Sequence, residues 1–244
     1  MKNTAIIIPS RLKAKRLPLK PLLKINNIPM IIHVLNRARE SKVGDVFVAT
    51  PDKEIFETVK KNGGKAIITR SDHKSGSDRI YEAYTKEITS DVNLIINLQG
   101  DMPNIKPEAI SKLEEFMKNN TCDIGTLASY INGEEINNPN VVKVCVDKEL
   151  KNDNFLETKD FFRLNKNLNN EKIYHHCGIY IFTKDALKRY VNLPRSKLER
   201  ERNLEQMRAL ENGMIIKVGL CGSTPLSVDT EQDLKKIKVE MKKI

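Results

Sequence analysis

Hydrophobic residues fall along this chain in two alternating rhythms. Short unbroken apolar runs are separated by longer stretches in which apolar side chains return every three or four positions. TAIIIP (4–9) is such a run, closed by Pro9, and reads as a buried central strand. PMIIHVLNRARES (29–41) has a proline at a helix start and apolar residues at 30, 31, 34, 35 and 38, the spacing of one helix face. DVFVAT (45–50) is a second strand, KEIFETVKKNGG (53–64) a helix closed by glycine, and KAIIT (65–69) a third strand. SDRIYEAYTKEI (77–88) is a helix with Ser77 or Asp78 available as N-cap. VNLIINLQGD (92–101) is a strand with a polar carboxyl end.

The order βαβαβαβ predicts an α/β fold with a doubly wound, mainly parallel sheet. Ligands in such sheets bind beyond the carboxyl ends of the strands, where IIIPSRLKAKRLPLKPL (6–22), TRSDHKSGSDR (69–79) and LQGDMP (98–103) all lie. The second half is less regular. Strands are predicted over 141–147, 175–183 and 215–221, and helices over 186–193, 196–213 and 229–243, the last with Asp229 near its cap. The polar segment 152–172 reads as an excursion from the sheet. No internal repeat and no long linker divides the 244 residues, so the expectation is a single domain over 1–244.

Composition narrows the classes. Forty-two Lys and Arg against 32 Asp and Glu give a formal charge of +10, which suits a polyanionic ligand, nucleic acid or an anionic membrane, and which a general Lys-rich drift would also produce. No apolar run approaches the roughly 18–20 residues that span a bilayer. Cys122, Cys145, Cys177 and Cys221 form no CxxC pair, so a structural zinc site is not expected. With no signal peptide, free thiols in a reducing cytoplasm are the simplest account. Aromatic residues are only 5% and Trp is absent, which leaves few stacking platforms for nucleic acid.

Five cations, Arg11, Lys13, Lys15, Arg16 and Lys20, follow the first strand. They are either a solvated basic loop or a grip on phosphates, with Pro18 and Pro21 restricting the chain around Lys20. Neither GxGxxG nor GxxxxGK[ST] is present. Asp101, in a Gly-Asp turn beyond a strand, is either an ordinary turn residue or a ligand for magnesium, which takes one or two carboxylates plus phosphate oxygens. Gln99 adds an amide that could read a hydroxyl. The amides around Ser75, Gly76 and Ser77 either cap a helix or accept an anion or a base edge. Asp229 is an N-cap or a second metal carboxylate. His175 and His176 point to opposite faces of a strand, which argues against a bis-His metal site.

In order along nearly the whole chain, IIIPSRLKAKRLPLKPL, PMIIHVLNRA, TRSDHKSGSDR, INLQGDMP, HHCGIYIF, LEQMRALENG and SVDTEQDL resemble the 3-deoxy-D-manno-octulosonate (Kdo) cytidylyltransferases, the CMP-Kdo synthetases. The resemblance implies a nucleotide-diphospho-sugar transferase-like fold with a smaller substrate and dimerisation lobe at about 148–213. It implies an enzyme that joins CTP and Kdo into CMP-Kdo and diphosphate for lipopolysaccharide biosynthesis. By position, Arg11 and Lys20 grip the triphosphate, and Arg70, Ser75, Gly76 and Ser77 belong to the cytosine-recognition segment. Asp101 and Asp229 hold Mg2+, and Gln99, His176, Tyr180 and Glu205 contact the sugar. Gln99 and Asp101 also border the nucleotide. A cytoplasmic homodimer is implied, with no nucleic-acid partner and no membrane insertion.

Four positions depart from that pattern. Leu19 stands where the family has Gly in RLPGKPL, Met102 where QGDEP has an acid, Ser77 where SGT has Thr, and His175 where an Arg commonly precedes the strand histidine. The family's SR before a Pro-Trp segment is not visible, which leaves Arg163 as the candidate substrate contact there. The rival readings are a CMP-sialic acid synthetase, against which Pro21 follows Lys20 where Asn is expected, and a sugar nucleotidyltransferase using UTP or GTP. Base choice rests on 69–79.

Overall fold

The computed structural model describes residues 3–13, 16–88, 91–164 and 172–242, so Lys15 of the basic stretch lies outside the described residues. The chain forms two compact units, one of residues up to Ser111 and from Pro225 onward, the other Lys112–Thr224.

The first unit begins with β1 (Thr4–Pro9), a tight turn at Lys20–Leu22, and a two-rung hairpin of β2 (Lys24–Ile25) and β3 (Ile28–Pro29). It continues through α1 (Met30–Glu40), β4 (Asp45–Thr50), α2 (Lys53–Lys61), β5 (Lys65–Ile68), α3 (Gly76–Glu87) and β6 (Leu94–Leu98). The strands run parallel in the order β5-β4-β1-β6. Ile6, Ile7 and Ile8 are fully buried, as expected of a strand covered on both faces. The chain leaves β1 toward β4 and β5, then returns to lay β6 on the other side. That reversal is the topological switch point at which open α/β sheets bind ligands.

The boundary falls within α4 (Pro107–Asn119), and the second unit continues through β7 (Ile124–Ser129), α5 (Gly133–Ile136), β8 (Lys143–Val146), β9 (Phe155–Glu157), β10 (Asp160–Phe162) and β11 (Lys172–Thr183). Then come α6 (Lys184–Asn192), α7 (Lys197–Arg202), α8 (Met207–Glu211) and β12 (Ile216–Leu220). Antiparallel β11 joins β7 and β8, parallel β12 joins β7, and β9 and β10 edge β12 and β8. The last element, α9 (Glu231–Glu240), belongs to the first unit. No helix among the described residues is long and apolar enough to cross a membrane.

The α/β class stands as expected, with several corrections in detail. The excursion predicted over 152–172 contains two strands of the sheet. Phe155 of β9 stacks on Phe116 with ring centroids 3.7 Å apart, which anchors an otherwise polar edge. The single charged helix predicted over 196–213 is two short helices. Asn203 breaks them in the left-handed region (φ 52°), and Arg208 folds back to bond Glu199 at 2.9 and 2.8 Å. Both groups are almost fully buried, so this charge pair is interior rather than a solvated face. The cap of α3 is Ser75, not Ser77 or Asp78; Ser75 Oγ accepts from the Asp78 amide, and Asp78 answers in a capping box. The cap of α9 is Thr230, which leaves the Asp229 carboxylate to other work. Residues 102–140, to which the pattern assigns nothing, hold α4, β7 and α5.

Candidate functional site

A cavity of about 780 Å³ opens at the carboxyl ends of β1 and β6, within the first unit. Pro9, Ser10 and Arg11 enter it from the end of β1, and Gln99, Gly100 and Asp101 from the end of β6. The segment His73–Gly76 and Arg79 supply a further wall, and Lys13 and Lys20 supply charge. Three stretches far apart in sequence meet here because the parallel sheet aims all their strand ends the same way. Gly76 lets the start of α3 approach β1, since a Cβ there would lie 3.3 Å from the Pro9 ring.

Lys20 is the electrostatic centre. Its Nζ donates to Asp101 Oδ2 at 2.8 Å and to Asp229 Oδ1 at 2.9 Å, and Arg16 Nη2 reaches Asp229 Oδ2 at 3.0 Å. Burial alone would lower the Lys20 pKa, but the two carboxylates outweigh it and raise it. Asp229 is the mirror case: burial would raise its pKa, and Lys20 and Arg16 hold it below the usual carboxylate range.

Packing fixes this triad. Leu17, Ile25, Met30, Val228 and Ile237 form a buried cluster that joins the Lys20 loop, the hairpin, α1 and α9. Val228, the residue before Asp229, is fully buried and its amide donates to the Asp101 carbonyl at 2.9 Å. Full burial of a side chain of this size contributes roughly 1.5–3 kcal/mol. The two acids are thereby held at one point by core contacts as well as by charge.

The departures at Leu19 and Met102 now have physical readings. Leu19 adopts φ 57°, ψ 17°, the left-handed conformation for which glycine is the usual choice, and still delivers Lys20 to the acids. Its side chain is half exposed, so the strain is local. Met102 is 3% exposed and packs inward, with no carboxylate in its place.

Among the other expected nucleotide residues, Arg11, Ser75, Gly76 and Gln99 line the cavity, and Gln99 Nε2 donates to Asn97 Oδ1 at 3.2 Å. Ser77 and the Arg70 side chain do not line it. Ser77 Oγ accepts from Asn97 Nδ2 at 3.4 Å, and the Arg70 guanidinium turns out to Asp72. The substrate candidates His176, Tyr180, Glu205 and Arg163 lie in the second unit. Thr126 Oγ1 donates to the Ile179 carbonyl at 2.7 Å, so it accepts from His176 Nε2 at 2.9 Å, which places a proton on Nε2. Burial pushes the His176 pKa down to about 3. The Tyr180 ring packs 5.3 Å from that imidazole. Arg163 Nη1 donates to the Pro139 and Asn140 carbonyls at 3.1 and 3.0 Å, and Glu205 accepts the Tyr190 hydroxyl on its backbone oxygen at 2.7 Å. His175 pairs with Glu135 at 2.9 Å.

Two cavity residues escaped sequence reasoning. Arg79, only 3% exposed, donates through Nη1 to Thr69 Oγ1 at 2.5 Å and the Arg70 carbonyl at 3.0 Å. Burial and the neighbouring Arg11 push its pKa down, short of removing the charge. An arginine two residues into a predicted helix reads as solvated surface, so only its place at a strand-end wall reveals it. Ser10 is the other: its buried Oγ has no hydrogen-bond partner among the described residues. A small polar residue directly after a central strand was the available signal.

The sequence pattern of the Cytidylyltransferase family matches residues 5–217. A 3-deoxy-manno-octulosonate cytidylyltransferase of Rhodopseudomonas palustris (strain BisB5) is 47% identical over 234 residues, covering 95% of this chain and 95% of the relative. One from Brucella ovis is 43% identical over 238 residues, covering 97% and 94%. A solved CMP:2-keto-3-deoxy-manno-octonic acid synthetase complexed with CTP superposes with a TM-score of 0.88 at 36% identity, covering 98% of both chains.

Proposed function

This chain belongs to the 3-deoxy-manno-octulosonate cytidylyltransferase family, and on that premise we propose that it joins CTP and Kdo, its cavity at the end of β1 being the nucleotide site. The anomeric hydroxyl of Kdo attacks the α-phosphorus of CTP; the new P–O bond forms as the bond to the β-phosphate oxygen breaks, and diphosphate leaves. The observation that carries the reading is the meeting of Arg11, Lys13 and Lys20 with Asp101 at one switch-point cavity, with Asp229 bonded to the same lysine. Phosphoryl-type transfer asks a protein for in-line positioning and charge neutralisation rather than covalent chemistry.

Arg11 and Lys13 attract the triphosphate, and Lys20 offsets charge that develops on the leaving diphosphate. Gly76, at the amino end of α3, offers an amide donor to the nucleotide, beside the Ser75 wall. A divalent cation fits the acids. Asp101 and Asp229 present oxygen donors that already converge on one cationic group, Lys20 Nζ, and hard oxygen ligands suit Mg2+. Asp101 and Asp229 would hold it, and when bound it would neutralise phosphate charge and lower the pKa of an attacking hydroxyl. His176, Tyr180 and Glu205 are the proposed sugar contacts of the second unit; a neutral His176 offers the sugar a hydrogen-bonding group without positive charge. The enzyme acts in the cytoplasm as a homodimer, in lipopolysaccharide assembly, as family membership implies.

The test is diphosphate release with Kdo and Mg2+, comparing CTP with UTP, GTP and ATP, and Kdo with N-acetylneuraminate. Release with CTP and Kdo alone, abolished by EDTA, is the expected result. Release with the other sugar would move the assignment to a sialic acid synthetase.

A further inference from the structure

Glu82 lies on α3, beyond the cavity, and nothing in the reaction calls for it. Its carboxylate nevertheless gathers three donors. The Arg70 amide reaches both oxygens, at 3.3 and 3.0 Å, the His73 ring bonds Oε2 at close range through Nε2, and Lys86 Nζ bonds Oε1 at 2.5 Å. Arg79, one turn earlier on the same face of α3, takes the Arg70 carbonyl at 3.0 Å. Both backbone polar groups of Arg70 are therefore satisfied by side chains of the helix that follows it. The segment so held runs into His73, Lys74, Ser75 and Gly76, which wall the cavity.

The carboxylate is well chosen for this. Two oxygens offer about four lone-pair sites, enough for three donors, whereas a glutamine amide replaces half of them with hydrogens and an alanine leaves the Arg70 N–H unpaired. The side chains of His73 and Glu82 are 11% and 13% exposed, so water is a poor substitute. A loop without regular structure between β5 and α3 would otherwise have to be ordered when the ligand arrives, at the expense of affinity.

We propose that Glu82 is a positioning residue for nucleotide recognition: it holds the segment from Arg70 to Ser75, with the His73 ring, in the shape that reads the base. This rests on the reading that a nucleotide fills this cavity with its base against that segment. Lys86, half exposed and one turn further on, bonds Glu82 itself rather than the segment that Glu82 holds.

The experiment is calorimetric binding of CTP, UTP and inorganic tripolyphosphate to the intact chain and to Glu82→Gln, Glu82→Ala and Lys86→Ala, with melting curves for each. Glu82→Gln should weaken CTP about tenfold, narrow the preference for CTP over UTP, and leave tripolyphosphate within about twofold. Lys86→Ala should match the unmodified protein. Should Glu82→Ala fail to fold, the nearly isosteric Glu82→Gln still decides. Unchanged CTP binding in Glu82→Gln, or an equal loss for CTP and tripolyphosphate, overturns the proposal while the nucleotide reading stands. An unmodified protein that binds CTP, UTP and tripolyphosphate alike removes the base-reading premise, and the proposal with it.

Discussion

Lys20 Nζ donates to Asp101 Oδ2 at 2.8 Å, and so ties the loop after β1 to the loop after β6 across the switch point of the sheet. The lysine side chain is 15% exposed and the aspartate 23%, so the pair is shielded enough to matter and open enough to exchange partners. A basic loop at a strand end could have been solvent-facing decoration. This contact instead makes its central cation part of an acid-lined site.

Replacing Asp101 with Asn should therefore separate chemistry from folding. Lys20 keeps Asp229 as a partner, so melting should shift by only a few degrees, while turnover should fall on the order of a hundredfold or more as cation binding and charge neutralisation are lost. Diphosphate release and a melting curve on the same preparation check this. Near-normal turnover would remove Asp101 from the site.

The same cluster carries a pH signature. Asp229 is held below its ordinary pKa, so its contribution to stability is present above about pH 3.8 and is lost as acid protonates it at its lower folded value. Lys20 is raised, so its contribution is complete below about pH 10.5 and is lost as pH climbs through its higher folded value. Lys20→Met should flatten both flanks of the stability profile, measured by urea unfolding across pH. A profile that keeps both flanks in the variant would assign them elsewhere.

Glu82 adds a flank of its own. Burial acts to raise its pKa, but Lys86, His73 and the Arg70 amide bring it down to about 2 from 4.5. Its contribution is therefore present above pH 4.5 and is lost between there and about 2. Glu82→Gln should lose stability at neutral pH and converge with the unmodified protein in acid. Parallel acid-unfolding curves would contradict this.

Ser10 should show the opposite of an ordinary core mutation. A buried hydroxyl without a partner costs folding energy, so Ser10→Ala should leave stability unchanged or raise it by up to about 1 kcal/mol. Denaturant midpoints measure this, and a loss of more than that would mean that the hydroxyl has a partner in solution.

Leu19→Gly should also stabilise. A left-handed residue with a Cβ costs roughly 1–2 kcal/mol, partly offset by the greater freedom of an unfolded glycine, which leaves a net gain of about 1 kcal/mol or less. Activity should be retained, since the loop already holds the conformation that the glycine would favour. Reduced stability in this variant would show that the half-exposed leucine contributes more by packing than it loses in strain.

What the sequence disclosed follows from which forces are local. β1 was legible to the residue because a strand buried on both faces is a continuous apolar run, and β4 because β-branched and aromatic residues fill its middle. Lys20 and Asp229 could each be singled out, but 209 positions separate them and no local pattern encodes their meeting. The break at Asn203 was hidden because Glu199 and Arg208 look like exposed helix charges until they are found paired in the interior. Leu19 was hidden in another way: its left-handed backbone is imposed by its surroundings against its own preference. The caps at Ser75 and Thr230 lay one or two residues from the expected ones, because several neighbouring side chains could have served.

The acid that shares Lys20 with Asp101 comes from the segment that returns to the first unit after the whole of the second has been threaded. A ribosome-bound chain therefore carries a finished β1, β6 and Lys20 long before Asp229 exists to complete the cluster. Until then Lys20 has only Asp101 of its two acids to pair with, and the final stretch of translation completes the cluster. A product that ended before Asp229 would keep every strand from β1 to β12 and lack one of the two carboxylates bonded to Lys20.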